Sequence, residues 1–146
     1  MPRPNAAARK MAHRCVGVRL RLINRAVSRI YDDHLRPFEV KISQVNILAV
    51  VGVLGPVSPT TVARKLSLEK STLSRNLRGL EERGWVEVGA SEGRGGVVQL
   101  TRTGDRLLSE IEPAWAQAQR DVRKLLGADA IDAIADVADP LLHADE

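Results

Sequence analysis

The sequence predicts a mainly α-helical fold carrying one short β-hairpin, and three observations support that expectation. Apolar residues recur at steps of three and four through most of the chain, which is the helical period. Only one pair of short β-branched runs, parted by a glycine-rich stretch, reads as strands. Aromatic residues make up 3% of the 146 residues, so the core must come from Leu, Val, Ile and Ala, which favours helices packed on helices.

Residues 1–12 are rich in Pro, Ala and basic residues without a burial pattern, and are expected to form a mobile basic arm. From 13 to 36, Val16, Leu20, Ile23, Val27, Ile30 and His34 make one helical stripe, with Arg19, Arg21, Arg25 and Arg29 largely off it. Pro37 breaks this helix. Ser43 reads as the next N-cap, with Ile42 and Ile47 spaced as a hydrophobic staple. The helix that follows, QVNILAVVGVL, is apolar nearly all round, so it is expected at the centre of the domain.

The next start is better marked. Ser58 stands as N-cap, Pro59 at the favoured first position, and Val57 and Val62 at staple spacing. This short helix ends near Leu66, and the turn Ser67-Leu68 leads into EKSTLSRNLRGLEERG. There Leu73, Leu77 and Leu80 define a buried face, so Ser71, Arg75, Arg78 and Glu82 point the other way at 100° per residue. Gly84 caps the C-terminus. Residues 85–88 (WVEV) and 97–100 (VVQL) read as a hairpin whose connection, GASEGRGG, holds four glycines and Arg94. Thr101 caps a long helix to about Leu126, striped by Leu107, Ile111, Trp115, Ala118, Val122 and Leu125, with a kink expected at Pro113. A last helix over roughly 128–142 places Ile131, Ile134, Ala135 and Ala138 on one face.

Two short helices joined by a tight turn and followed by a hairpin make a winged helix-turn-helix. The expected organisation is an arm at 1–12, a winged lobe at 37–101, and a helical dimerisation region from 13–36 and 102–146. The second short helix suits a major groove about 12 Å wide. Ser71, Thr72 and Ser74 are short hydroxyl residues near its N-terminus, where the helix dipole attracts phosphate. Arg75 offers a guanidinium fork for guanine or phosphate. Arg94 at the glycine-rich tip suits a narrow minor groove, and Glu92 stands close enough to orient it. Ser58, Thr60 and Thr61 begin the preceding helix and are candidate phosphate contacts; capping is the competing role for Ser58. Lys65, Lys70 and Arg78 add nonspecific attraction to a polyanion.

Charge distribution agrees. Residues 1–124 hold all 22 Lys and Arg against 12 acids, while 125–146 hold six acids and no Lys or Arg. A basic body with an acidic tail suits a polyanionic partner. Cys15 is the single cysteine, which excludes an internal disulfide and a Cys-rich zinc site. His13, His34 and His143 are scattered, so no metal is expected. Catalytic triads, phosphate-cradling glycine motifs and paired carboxylates are not evident, and neither an enzyme nor a cofactor is expected. With neither an apolar leader core nor a 20-residue apolar run, a cytoplasmic location is expected.

The stretch VARKLSLEKSTLSRNLRGLEERGWVEV, with VVQLTRTGDRLL after the wing, resembles the MarR family of bacterial regulators. The leucine-spaced helix ends in Leu-Glu-x-x-Gly, and Leu-Thr-x-x-Gly follows the wing. The resemblance covers about residues 15–142. It implies that Ser71, Thr72, Ser74 and Arg75 face the groove, that Arg94 is the wing arginine, and that the first and last two helices form an obligate dimer. It also implies regulation of transcription, with repression the expected sense, at a pseudo-palindromic site. A small aromatic or phenolic effector is implied between the dimer region and the winged lobe, with Tyr31, His34 and Trp115 as candidate lining residues. Core packing is the competing role for those three.

Two departures weaken the wing. Glu92-Gly93-Arg94 replaces the usual Asp-x-Arg, and Val88 stands where arginine is frequent. A redox-sensing branch uses a first-helix cysteine, but alignment on Tyr31 and Gln44 puts that position on Gly17, two residues past Cys15 and about 200° around the helix. That branch's second tyrosine is also missing. A nonspecific architectural DNA-binding protein, a redox sensor using Cys15, and a scaffold that has lost DNA binding are the alternative readings.

Overall fold

The computed structural model describes residues 1, 5–90 and 95–143. Its elements are α1 (Ala6–Arg14), α2 (Val16–Leu35), a 3-10 turn (Arg36–Phe38), α3 (Ile42–Leu54), α4 (Pro59–Lys65), α5 (Lys70–Glu82), β1 (Val86–Gly89), β2 (Val97–Leu100), α6 (Arg102–Leu126) and α7 (Ala128–His143). Helices dominate and the two strands form one antiparallel hairpin, as the sequence predicts.

Four local outcomes differ from expectation. Residues 6–14 are helical, with the Asn5 side chain capping at Ala8 N and no residue buried. The start of α3 is at Ile42, with Lys41 as N-cap in place of Ser43. The reason is tertiary: the Asp32 carboxylate on α2 accepts from the Ile42 N–H at 2.8 Å, and the Gln44 side chain accepts from the Lys41 N–H at 3.0 Å. Trp85 precedes β1, which pairs from Val86 opposite Leu100 to Gly89 opposite Val97. In α3 the all-round apolar pattern is only half covered, for Val45, Ile47, Leu48 and Val51 are buried while Val53 is 84% exposed.

The core joins both halves of the chain. Leu35 from α2, Ile47, Leu48 and Val51 from α3, Val62 from α4, Leu73 and Leu80 from α5, Val86 and Val98 from the hairpin, and Ile111 from α6 form one cluster. Residues at i, i+4 and i+7 on α5 and at four-residue steps on α6 enter it because they share a helical face. Val57 adds a short bridge to Val98, extending the hairpin edge by one residue. Outside this core, Val16, Leu20, Leu22 and Ile23 on α2 and Ile134, Val137 and Leu141 on α7 are exposed. Helix α6 runs unbroken through Pro113. Among the described residues no single helix is long and apolar enough to cross a membrane.

Candidate nucleic-acid interface

The Ser58 hydroxyl accepts from the Thr61 N–H at 3.2 Å and lies 2.9 Å from the Thr61 hydroxyl, so both are engaged in starting α4. Pro59 supplies the pre-set φ of the first turn. A four-residue turn follows, with Ser67 in the left-handed region at φ 50° and the Leu68 N–H returning to Ala63 O at 2.8 Å. This turn sets α5 across α4, and Leu73, Leu77 and Leu80 then hold α5 against the core.

Burying that leucine face leaves Lys70, Ser71, Ser74, Arg75 and Arg78 exposed along the opposite side of α5. No ion pair engages Arg75 or Arg78 among the described residues. Thr72 does not join this row; it is half-buried, and its carbonyl accepts from the Asn76 amide at 2.9 Å. Helix α5 starts at Glu69 without a side-chain cap, so its first N–H groups are open to an acceptor. A cleft of about 350 Å³ between α4 and α5 brings Thr60, Lys70, Ser74 and Arg78 together and reaches Val88 on the hairpin. Helices α4 and α5 therefore present hydroxyls, open backbone N–H groups and guanidinium forks on one side, a set suited to hydrogen-bonding oxyanions and base edges.

The hairpin leads away from the C-terminal end of α5. Gly84, at φ 73°, reverses the chain, and the Gly84 and Trp85 N–H groups close onto Glu81 and Leu80 carbonyls at 2.9 and 3.0 Å. Glu92 and Arg94, read from the sequence as the wing tip, lie outside the described residues.

Among the described residues the three candidate effector residues fall in two settings. The Tyr31 hydroxyl donates to the Gln119 side chain, and burial pushes this phenol above its ordinary value. His34 Nε2 lies 2.7 Å from Asp121 Oδ2. That contact, with smaller help from Lys124, holds the Asp121 carboxyl below the ordinary 3.8. Both pairs join α2 to α6. Trp115 instead lines a cavity of about 420 Å³ with Asn46, Leu100, Leu108 and Glu112, between α3, β2 and α6. Cys15 is exposed at the junction of α1 and α2.

Sequence reasoning missed Arg83. Its guanidinium stacks 4.0 Å from the centroid of the Trp85 ring and donates to Glu39 O at 3.0 Å. The adjacent Arg-Gly-Trp signal was present, but only the left-handed reversal at Gly84 folds Trp85 under Arg83.

Residues 40–123 match the family model described as HVO_A0261 N-terminal domain. The HTH-type transcriptional regulator YwoH of Bacillus subtilis is 30% identical over 88 residues, covering 60% of this chain and 64% of YwoH's length. The multiple antibiotic resistance protein MarR of Escherichia coli is 24% identical over 119 residues, covering 80% of this chain and 83% of that protein. A crystal structure of a Cys-to-Ser mutant of this MarR, complexed with operator DNA, matches with TM-score 0.79 at 21% identity, covering 91% of this chain and 97% of that one. The M. tuberculosis transcriptional regulator MOSR, crystallised in complex with DNA, matches with TM-score 0.77 at 29% identity, covering 90% of this chain and 96% of its own.

Proposed function

The chain belongs to the HVO_A0261 N-terminal domain family and to the MarR family of winged-helix transcriptional regulators, and from that premise we propose that it binds a pseudo-palindromic operator as a homodimer and acts as a repressor. The observation that carries this reading is the outward row Ser71, Ser74, Arg75 and Arg78 on α5, opposite a leucine face that is buried. Arg75 reads a base edge, and Ser71 and Ser74 approach bases or phosphates beside the open helix start. Lys70 and Arg78 hold the backbone, with Thr60 and the Thr61 and Ser58 end of α4 reaching the adjacent phosphates. Thr72 supports the row from a half-buried position. Arg94 enters the minor groove from the hairpin tip.

The exposed apolar stripes on α2 and α7 support the homodimer, because one copy leaves Val16, Leu20, Val137 and Leu141 in water. A two-fold pair would set the α5 helices one helical turn apart on DNA, about 34 Å or ~10 bp between half-site centres. A small effector in the cavity beside Trp115 would act between the lobe and the dimer region.

Selection of bound duplexes from a random pool tests the reading. A recovered inverted repeat with half-sites ~10 bp apart is expected. A ratio near one between the selected site and random duplex at fixed salt identifies an architectural protein instead. A monomer by sedimentation at working concentration refutes the operator geometry.

A further inference from the structure

The corner at Arg83, Gly84 and Trp85 is where the candidate recognition helix meets both long helices of the prospective dimer region. On one side Arg83 donates to Glu39 O at 3.0 Å. Glu39 sits in the turn that follows α2, in the left-handed region at φ 54°, a conformation uncommon outside glycine and asparagine. On the other side the Thr101 hydroxyl donates to Gly84 O at 2.5 Å, and the Thr101 N–H donates to Trp85 O at 3.1 Å, at the start of α6. Trp85 is 6% exposed and the Arg83 guanidinium lies 4.0 Å over its ring. One side chain therefore makes both contacts, a cation over the Trp85 ring and an N–H donated to Glu39 O.

We propose that Arg83 is a positioning residue that fixes the angle of α5 relative to α2, and so sets the half-site spacing the homodimer accepts. The inference rests on the operator reading above. Its physical basis is leverage. Arg75 lies eight residues before Arg83, about 12 Å along the helix axis, so a few degrees of freedom at the corner becomes a displacement at the base-reading end. Each half-site would still be contacted by the same side chains; what loosens is the relation between the two copies. Interactions at the α6 side are made by backbone and Thr101, whereas the tie to Glu39 O on the α2 side is made by the Arg83 side chain.

Arg83→Met tests this, because it keeps an aliphatic stem over Trp85 and removes the donor to Glu39. Arg83→Lys restores a donor without the planar fork. Affinity is measured for the selected operator and for versions with one base pair added or removed between half-sites. The wild type is expected to prefer its own spacing. Arg83→Met is expected to lose about fivefold at that spacing and to keep its affinity for the altered ones, flattening the preference, with Arg83→Lys intermediate. An equal loss at all three spacings, or an unchanged preference, overturns the proposal. Hydrogen exchange without DNA judges the tie separately. Residues 39–41 and 80–85 should exchange faster in Arg83→Met while α6 is unchanged. Unaltered exchange there overturns the tie itself. If the wild type binds no duplex, the operator reading fails and so does the spacing role, while the exchange result still decides whether Arg83 holds the corner.

Discussion

Gly104→Ala should destabilise this protein by about 3 kcal/mol, although helix propensity alone predicts a gain of about 1 kcal/mol. A Cβ at 104 would stand 2.0 Å from Trp85 O, 2.9 Å from its carbonyl carbon and 3.2 Å from its Cα. Carbon and oxygen approach ordinarily to about 3.4 Å, so the start of α6 or the Trp85 corner must move by more than an ångström. The contacts that would yield are backbone and cap bonds. Thr101 N–H donates to Trp85 O, and the Thr101 hydroxyl accepts from the Gly104 N–H at 3.0 Å. Loss of one such bond costs about 1 kcal/mol, loss of the cap about 1 kcal/mol, and forced repacking about 2 kcal/mol. Against these, the propensity gain leaves the net figure above. For a chain of this size that corresponds to a fall in Tm of roughly 10 °C. Gly79→Ala is the control, since it lies inside α5 with nothing within 4 Å of the added methyl, and it should gain up to about 1 kcal/mol. Thermal and urea unfolding followed by circular dichroism, at one protein concentration, separate the two. Gly104→Ala melting within about 2 °C of the wild type would refute the packing argument.

Arg75→Ala should weaken operator binding by about fivefold to 150-fold, equivalent to about 1–3 kcal/mol, with little change in Tm because the side chain is exposed and free of ion pairs among the described residues. Fluorescence anisotropy on the selected duplex checks it, and wild-type affinity would remove Arg75 from base reading. Lys70→Gln and Arg78→Gln should each lower the slope of log affinity against log salt by about 1, leaving the selected sequence unchanged; a changed base preference would make either residue a reader. Asp121→Asn should lose an acid-dependent share of stability. The folded carboxyl is held below 3.8, first by His34, so its contribution is present above the unfolded value and disappears as pH falls through the lower folded value. Urea titrations from pH 6 to 2.5 should therefore show wild type and variant converging at the acid end, and a constant gap would contradict the assignment.

Much of the fold was legible because it is written in local chemistry. Ser58-Pro59, Gly84 and Thr101 mark helix ends through hydrogen bonds spanning only a few residues, and they function where the sequence placed them. The period of Leu73, Leu77 and Leu80 specified which side of α5 is buried, and with it the outward position of Ser71, Arg75 and Arg78. Periodicity gives a side chain's angle around its own helix, so these residues needed no knowledge of their neighbours. Thr72 and Ser74 mark the limit of that reasoning, since both lie at angles between the two faces, yet Thr72 is half-buried and Ser74 exposed.

Only the tertiary structure decided what contacts pass between segments distant in the chain. Asp32 moves the start of α3 to Ile42, His34 meets Asp121 across 87 positions, and Gly104 is required by the Trp85 carbonyl. Arg83 reaches Glu39 across 44 positions, and its stacking on Trp85 exists only because Gly84 turns the chain left-handed between them. Such pairings carry no period and no fixed spacing, because loop closure brings together residues whose separation along the chain is arbitrary. Local hydrogen bonding and helical geometry set the elements and their faces; the angle between one element and the next is set by contacts that form only when the whole core is assembled.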